Sequence, residues 1–123
     1  MKKSEEGYSM PLGAPTFTTP PFEATQEGKM LMSFYKADKE ACKWELPEPL
    51  QLEDNIVLAW IGDMRQPSHS IENYHECLTA IKVRYQKWVG WYINYIWVDH
   101  DMALTFEREI YGWPANLCEN TPL

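Results

Sequence analysis

The chain of 123 residues is 45% hydrophobic and 24% charged, which is enough for one domain with a core. Eighteen acidic against eleven basic residues give a net charge of -7, and no basic run exceeds the Lys2-Lys3 pair. Charge thus excludes nucleic acid as a partner, because phosphate neutralisation needs a clustered basic face.

Three cysteines, Cys42, Cys77 and Cys118, have no CxxC spacing, so they signal neither a disulfide framework nor a zinc site and read as reduced thiols of a cytoplasmic protein. No apolar run reaches the ~18 residues needed to span a bilayer. Met1 to Glu6 leads into no apolar signal segment, so a membrane is not an expected partner. Six Trp and seven Tyr make the apolar surface bulky, and such side chains must be buried or line a pocket.

Residues 1–28 hold four prolines, Pro11, Pro15, Pro20 and Pro21, and show no apolar period; they read as an extended arm, with residues 29–123 as the domain proper. Residues 29–35 (KMLMSFY) predict a short buried strand. Asp38 then offers an N-cap for a helix over residues 39–44, stopped by Pro47 and Pro49. Residues 55–64 form an apolar run read as a strand covered on both faces, and the polar stretch 65–73 reads as a loop fit for a mouth or lid.

From His75 to Tyr85 the pattern has period two, with Cys77, Thr79, Ile81, Val83 and Tyr85 on a core face and Glu76, Leu78, Ala80, Lys82 and Arg84 opposite. Residues 88–98 (WVGWYINYIWV) are apolar on both faces and predict a central strand. Residues 102–109 alternate again and predict the third strand of a meander, with Glu107 and Glu109 on one face and Arg108 on the other. The expected fold class is α+β, mainly β, an antiparallel meander with one short helix.

Residues 106–116 (FEREIYGWPAN), with Pro47-Glu48-Pro49-Leu50 and the proline-rich arm, resemble the acetoacetate decarboxylase family and its pattern R-E-x-x-(G/A)-aromatic-P-K-K. The resemblance implies part of a conical β-barrel, whose missing strands a homo-oligomeric or second chain would supply. It also implies decarboxylation of a β-keto acid or polyketide-like carbonyl compound, through a Schiff base on the first lysine after the proline and a second lysine that lowers its pKa. Those two positions are Ala115 and Asn116 here, and Glu107 stands where the family has Gly. Amine catalysis needs an unprotonated amine, which Ala115 lacks.

Among the remaining residues, Glu76 falls on a family pocket carboxylate and is the candidate acid or base, while Trp60 falls on a second one and would fill the cavity. Arg108, Lys29, Trp113 and Trp60 are the candidate substrate-binding residues; Arg108 has the fork for a substrate carboxylate, or else supports the Gly112 to Pro114 turn. No cofactor or metal is expected, since His69, His75, Glu76 and Cys77 fit no zinc spacing. Three rival readings stand beside a decarboxylase: an inactive binding or assembly subunit, a remnant of the family, and an isomerase or dehydratase based on Glu76.

Overall fold

In the computed structural model, residues 27–65 and 72–119 are described, so the arm up to residue 26 and most of the expected lid loop lie outside the described residues. One sheet holds five strands in chain order: β1 (Glu27–Lys36), β2 (Gln51–Arg65), β3 (Tyr74–Tyr85), β4 (Trp88–Val98) and β5 (Ala115–Leu117). The first four form an antiparallel meander, and β5 runs parallel to β4. A parallel neighbour needs a crossover. It is supplied by the second helix, α2 (Asp101–Phe106), and a π-helical turn, Glu107–Tyr111. The earlier helix, α1 (Lys39–Trp44), starts where Asp38 caps it by accepting from the Ala41 N–H at 2.9 Å.

Register shows which side chains share a face. One row runs Met32, Trp60, Leu78, Ile96, Ala115, and the next runs Met30, Gly62, Glu76, Val98, Leu117. Both rows lie on what we call the inner face, because Phe34 of β1 and Trp91 of β4 meet there with ring centroids 5.7 Å apart. Three strand spacings in a flat sheet would be about 14 Å, so the sheet is strongly curled. It is not closed.

The alternation in β3 holds, but its interpretation changes. The even residues Tyr74, Glu76, Leu78 and Ala80 are buried on the inner face, where α2 and the π turn cover the sheet. The odd residues Ile81 and Val83 are buried on the outer face, with Val57, Cys42 and Leu46 around α1. The core therefore lies on both sides of β3, which makes β3 the central strand. Residues 88–91 of β4 are exposed, against the expectation of a central strand there. β1 is likewise exposed on both faces along its whole length, where the sequence predicts a buried strand. Its apolar residues have no covering layer among the described residues.

The third strand of the expected meander is a helix. His100 caps α2 by accepting from the Met102 N–H at 3.2 Å, and Asp101 carries negative charge into the first turn. Ala103, Phe106, Glu107 and Ile110 then recur at three- and four-residue intervals and point to the sheet, so the period is helical and the apparent alternation of Met102, Leu104 and Phe106 is incidental. The turn ends at Gly112 with φ 68°, a left-handed conformation that a glycine adopts without cost.

Candidate active site

Helical geometry brings together a residue pair that strand geometry kept apart. Glu107, 1% exposed, projects from the π turn onto the inner face, where it meets Glu76, 4% exposed, from β3. As two carboxylates they are acceptors only, and neither Glu107 oxygen then has a hydrogen-bond partner. A proton held between them supplies the missing donor. Burial first, then the hydrogen bond and charge of Glu76, push the Glu107 carboxyl up to about 9. Burial also raises Glu76, with the hydrogen bond from Glu107 opposing that shift. Tyr74, packed alongside, is raised by burial and by both carboxyls, so its hydroxyl stays protonated.

Glu107 and Glu109 do not share a face as a strand would have placed them, because Glu107 is buried and Glu109 is exposed. Reading residues 103–110 at a period of 3.6 would have put Glu107 on the apolar stripe and marked it as a buried acid.

Trp60 packs between the two inner clusters, and its indole N–H is buried without an acceptor. That N–H lies over Gly62: a Cβ there would stand 2.8 Å from Trp60 Nε1 and 2.8 Å from Met64 Sδ. Gly62 is the β2 partner of Glu76. Beyond it, on the β1 side, an open groove of about 420 Å³ is lined by Glu27, Gly28, Met30 and Met64.

Ala115 is fully buried among Leu58, Leu78, Ala80 and Ile96, with Trp60 and Trp113 packed against that cluster. Asn116 faces the other way and is exposed, its side-chain amide donating to the Pro114 carbonyl at 3.1 Å. Trp113 stacks on Tyr111 at 4.6 Å. Arg108 Nη1 donates to the Ala115 carbonyl at 2.8 Å and so ties the π turn to β5. Arg108→Ala is expected to lower unfolding free energy by about 1.5–3 kcal/mol, the worth of a charge-assisted hydrogen bond, in a denaturant titration. Lys29 is the partner of Asp63, which is the partner of His75, and this puts it on the face opposite Glu76. Lys82 has inner-face parity but lies six residues from Glu76, about 20 Å along β3.

His75 and Asp99 form a separate outer-face pair, with His75 Nδ1 2.6 Å from Asp99 Oδ2. Burial raises the Asp99 carboxyl, but hydrogen bonds from the His75 backbone and ring outweigh this and hold it below its ordinary value. Among the described residues no three metal-ligand side chains converge, and no helix is long and apolar enough to cross a membrane.

Together, an open, mainly antiparallel sheet, a buried inner-face glutamate and an aromatic-Pro loop feeding β5 define an acetoacetate-decarboxylase-like fold. The family model for acetoacetate decarboxylase matches residues 9–121. The chain belongs to the acetoacetate decarboxylase family. It is 31% identical over 114 residues to an acetoacetate decarboxylase of Acidiphilium cryptum, which covers 92% of this chain and 45% of that protein. To one of Clostridium botulinum it is 28% identical, over 95% of this chain and 48% of that one. A solved acetoacetate decarboxylase superposes with TM-score 0.75 at 26% identity, over 98% of this chain and 50% of the other. The enduracididine biosynthesis enzyme MppR, solved with a condensation product of pyruvate, shares the fold at TM-score 0.75 and 20% identity, over 94% and 48%. The chain spans about half the length of the curated relatives it matches.

Proposed function

We propose that this chain serves a small keto acid or other carbonyl compound on its inner face, as a lyase-lineage protein in which carboxyl acid-base chemistry stands where amine catalysis stands in the family pattern. The observation that carries this is the pair of positions on one face: Ala115, fully buried in an apolar cluster, and Glu76, one row along and two strands away. Strand and row spacings place their backbones about 12 Å apart. Ala115 offers no amine, Lys29 lies on the opposite face and Lys82 lies at the far end of β3. Glu76, with Glu107 beside it, is the acid-base group, and Trp60 and Trp113 are the aromatic walls. Decarboxylation through a Schiff base requires a lysine other than Lys29 and Lys82.

Sodium borohydride with acetoacetate tests this directly. We expect no reduced lysine adduct on any peptide by mass spectrometry, together with quenching of tryptophan fluorescence by a bound carbonyl compound. A stoichiometric lysine adduct would overturn the reading, as would the absence of any carbonyl ligand.

A further inference from the structure

We infer that an outer-face slot on the β3–β4 hairpin binds the Pro20-Pro21 pair of a second copy of this chain, so that two copies exchange their N-terminal segments. The slot follows from register. On the outer face Tyr85 pairs with Trp88, Val83 with Gly90 and Ile81 with Tyr92, so Gly90 leaves a gap between two aromatic side chains. Buried Val83 is the floor and Leu50 closes one side, giving an open slot of about 200 Å³. Pockets for drug-sized ligands start at about 300 Å³, so this one suits a ring-sized group and not a cofactor. Neither packing nor backbone calls for a glycine here: a Cβ at Gly90 meets nothing within 4 Å, and Gly90 is not among the residues with positive φ. Glycine weakens a strand, and what it provides at this position is the gap.

The lining selects proline. Trp88 and Tyr92, four residues apart on one face, stand about 13 Å apart along the strand. A polyproline II segment completes one turn in roughly 9 Å, and such segments are recognised by aromatic-lined grooves. Tyr85, Trp88 and Tyr92 carry side-chain donors that have no hydrogen-bond partner among the described residues. A proline residue brings a carbonyl acceptor and no N–H, which matches a rim of donors. Lys87 Nζ stands 5.2 Å from the Trp88 ring centroid and forms no ion pair among the described residues, whereas Arg84 nearby is held by Glu53. The slot therefore favours prolines with an acid close by.

The chain contains such a sequence. Pro20-Pro21 is the one adjacent proline pair among nine prolines, and Phe22-Glu23 follows it. The same copy cannot deliver it to the slot. Glu27, where β1 begins, pairs with Arg65 at the Tyr74 end of β3, and the slot lies at Val83, about 30 Å further along that strand. Pro21 precedes Glu27 by six residues, a reach of about 22 Å at full extension. A second copy is free of this limit. Because each copy holds one segment and one slot, the exchange closes as a two-fold dimer, in which two linked contacts bind more tightly than either alone.

Sedimentation velocity of the full chain is expected to show a concentration-dependent dimer. Gly90→Leu fills the slot without meeting a neighbour, so it should keep the thermal midpoint of the parent while weakening the dimer by about tenfold or more. Pro20→Ala combined with Pro21→Ala, which alters no described strand, should weaken it comparably. Mixed together, the two variants should associate with each other more tightly than either does with itself, since one retains the segment and the other the slot. A synthetic peptide of residues 17–25 (FTTPPFEAT) should change the tryptophan emission of the parent and compete the dimer apart, and should bind Gly90→Leu far more weakly. A monomeric parent overturns the exchange, as does a dimer that either variant leaves unchanged. Equal binding of the peptide to parent and Gly90→Leu overturns the slot as its site. A parent that stays monomeric yet binds the peptide has a slot for another protein's proline-rich segment, which overturns the second copy as occupant.

Discussion

Ala115→Lys, the substitution that restores the family residue, is expected to destabilise the protein by about 3 kcal/mol or more, lowering the thermal midpoint by about 10 °C. Position 115 is fully buried in the row Trp60, Leu78, Ile96, Ala115, and the cluster around it already contains the Trp60 indole. A lysine side chain there overpacks the cluster and places an amine where its charged form is desolvated, with no carboxylate on the Trp60 position to receive it. Adding Trp60→Ala opens space in that row, so the double variant should recover part of the loss, and the two changes should be strongly non-additive. Calorimetry on the four proteins checks this. If Ala115→Lys is as stable as the parent, the row is loosely packed, and the absence of an amine at this site does not follow from lack of room.

A second large effect concerns pH. Glu107 is raised to about 9 by burial and by Glu76, while an unfolded glutamate titrates near ~4.3. Between those values the folded protein binds more protons than the unfolded chain. Stability from this group is therefore fully present below the unfolded value and declines as pH rises, by up to about 1.4 kcal/mol per pH unit for one proton. Glu107→Gln keeps a neutral hydrogen-bonding group of similar size that can donate to Glu76. We expect the parent to lose thermal stability from pH 5 to pH 8 and the variant to lose distinctly less, ending more stable than the parent at pH 8. The depressed Asp99 carboxyl acts in the opposite sense, its contribution being lost only as pH falls through its folded value, below the ordinary carboxylate range and outside this window. Equal slopes in the two proteins would show that Glu107 is ionised in the folded state.

Much of the sheet was legible because strands declare themselves through period two. The alternation of residues 75–85 placed Glu76 on one face and His75 with Cys77 on the other, and register confirms that separation. The same alternation could not say which face is core. Both are, at opposite ends of β3, and that depends on where α1 and α2 dock. Residues 102–109 were misread because a segment with Met, Leu and Phe at every second place also fits a helical stripe, and the His100 cap that decides between them is a weaker signal than a Ser or Asp cap. The cost of that error was functional. On a strand Glu107 pairs with Glu109 in solvent; on a helix it is buried beside Glu76. Family resemblance located Glu76, Ala115 and the aromatic-Pro loop, but it could not disclose Glu107, where this chain departs from the family pattern. Lys29 was drawn toward the site by its place near a family position, and strand register puts it on the other face.

The exposure of β1 also bears on how the protein is handled in solution. Residues 30–35 (MLMSFY) carry no charge and no proline, on a strand whose far edge has no partner among the described residues. Uncharged segments of this composition template strand addition when an edge is open. Lys29 and Lys36 bracket it with opposite parity, so an approaching strand meets a positive charge on either face. Dispersal at high concentration then depends on those two ammonium groups, and added salt, which screens them, narrows the usable range.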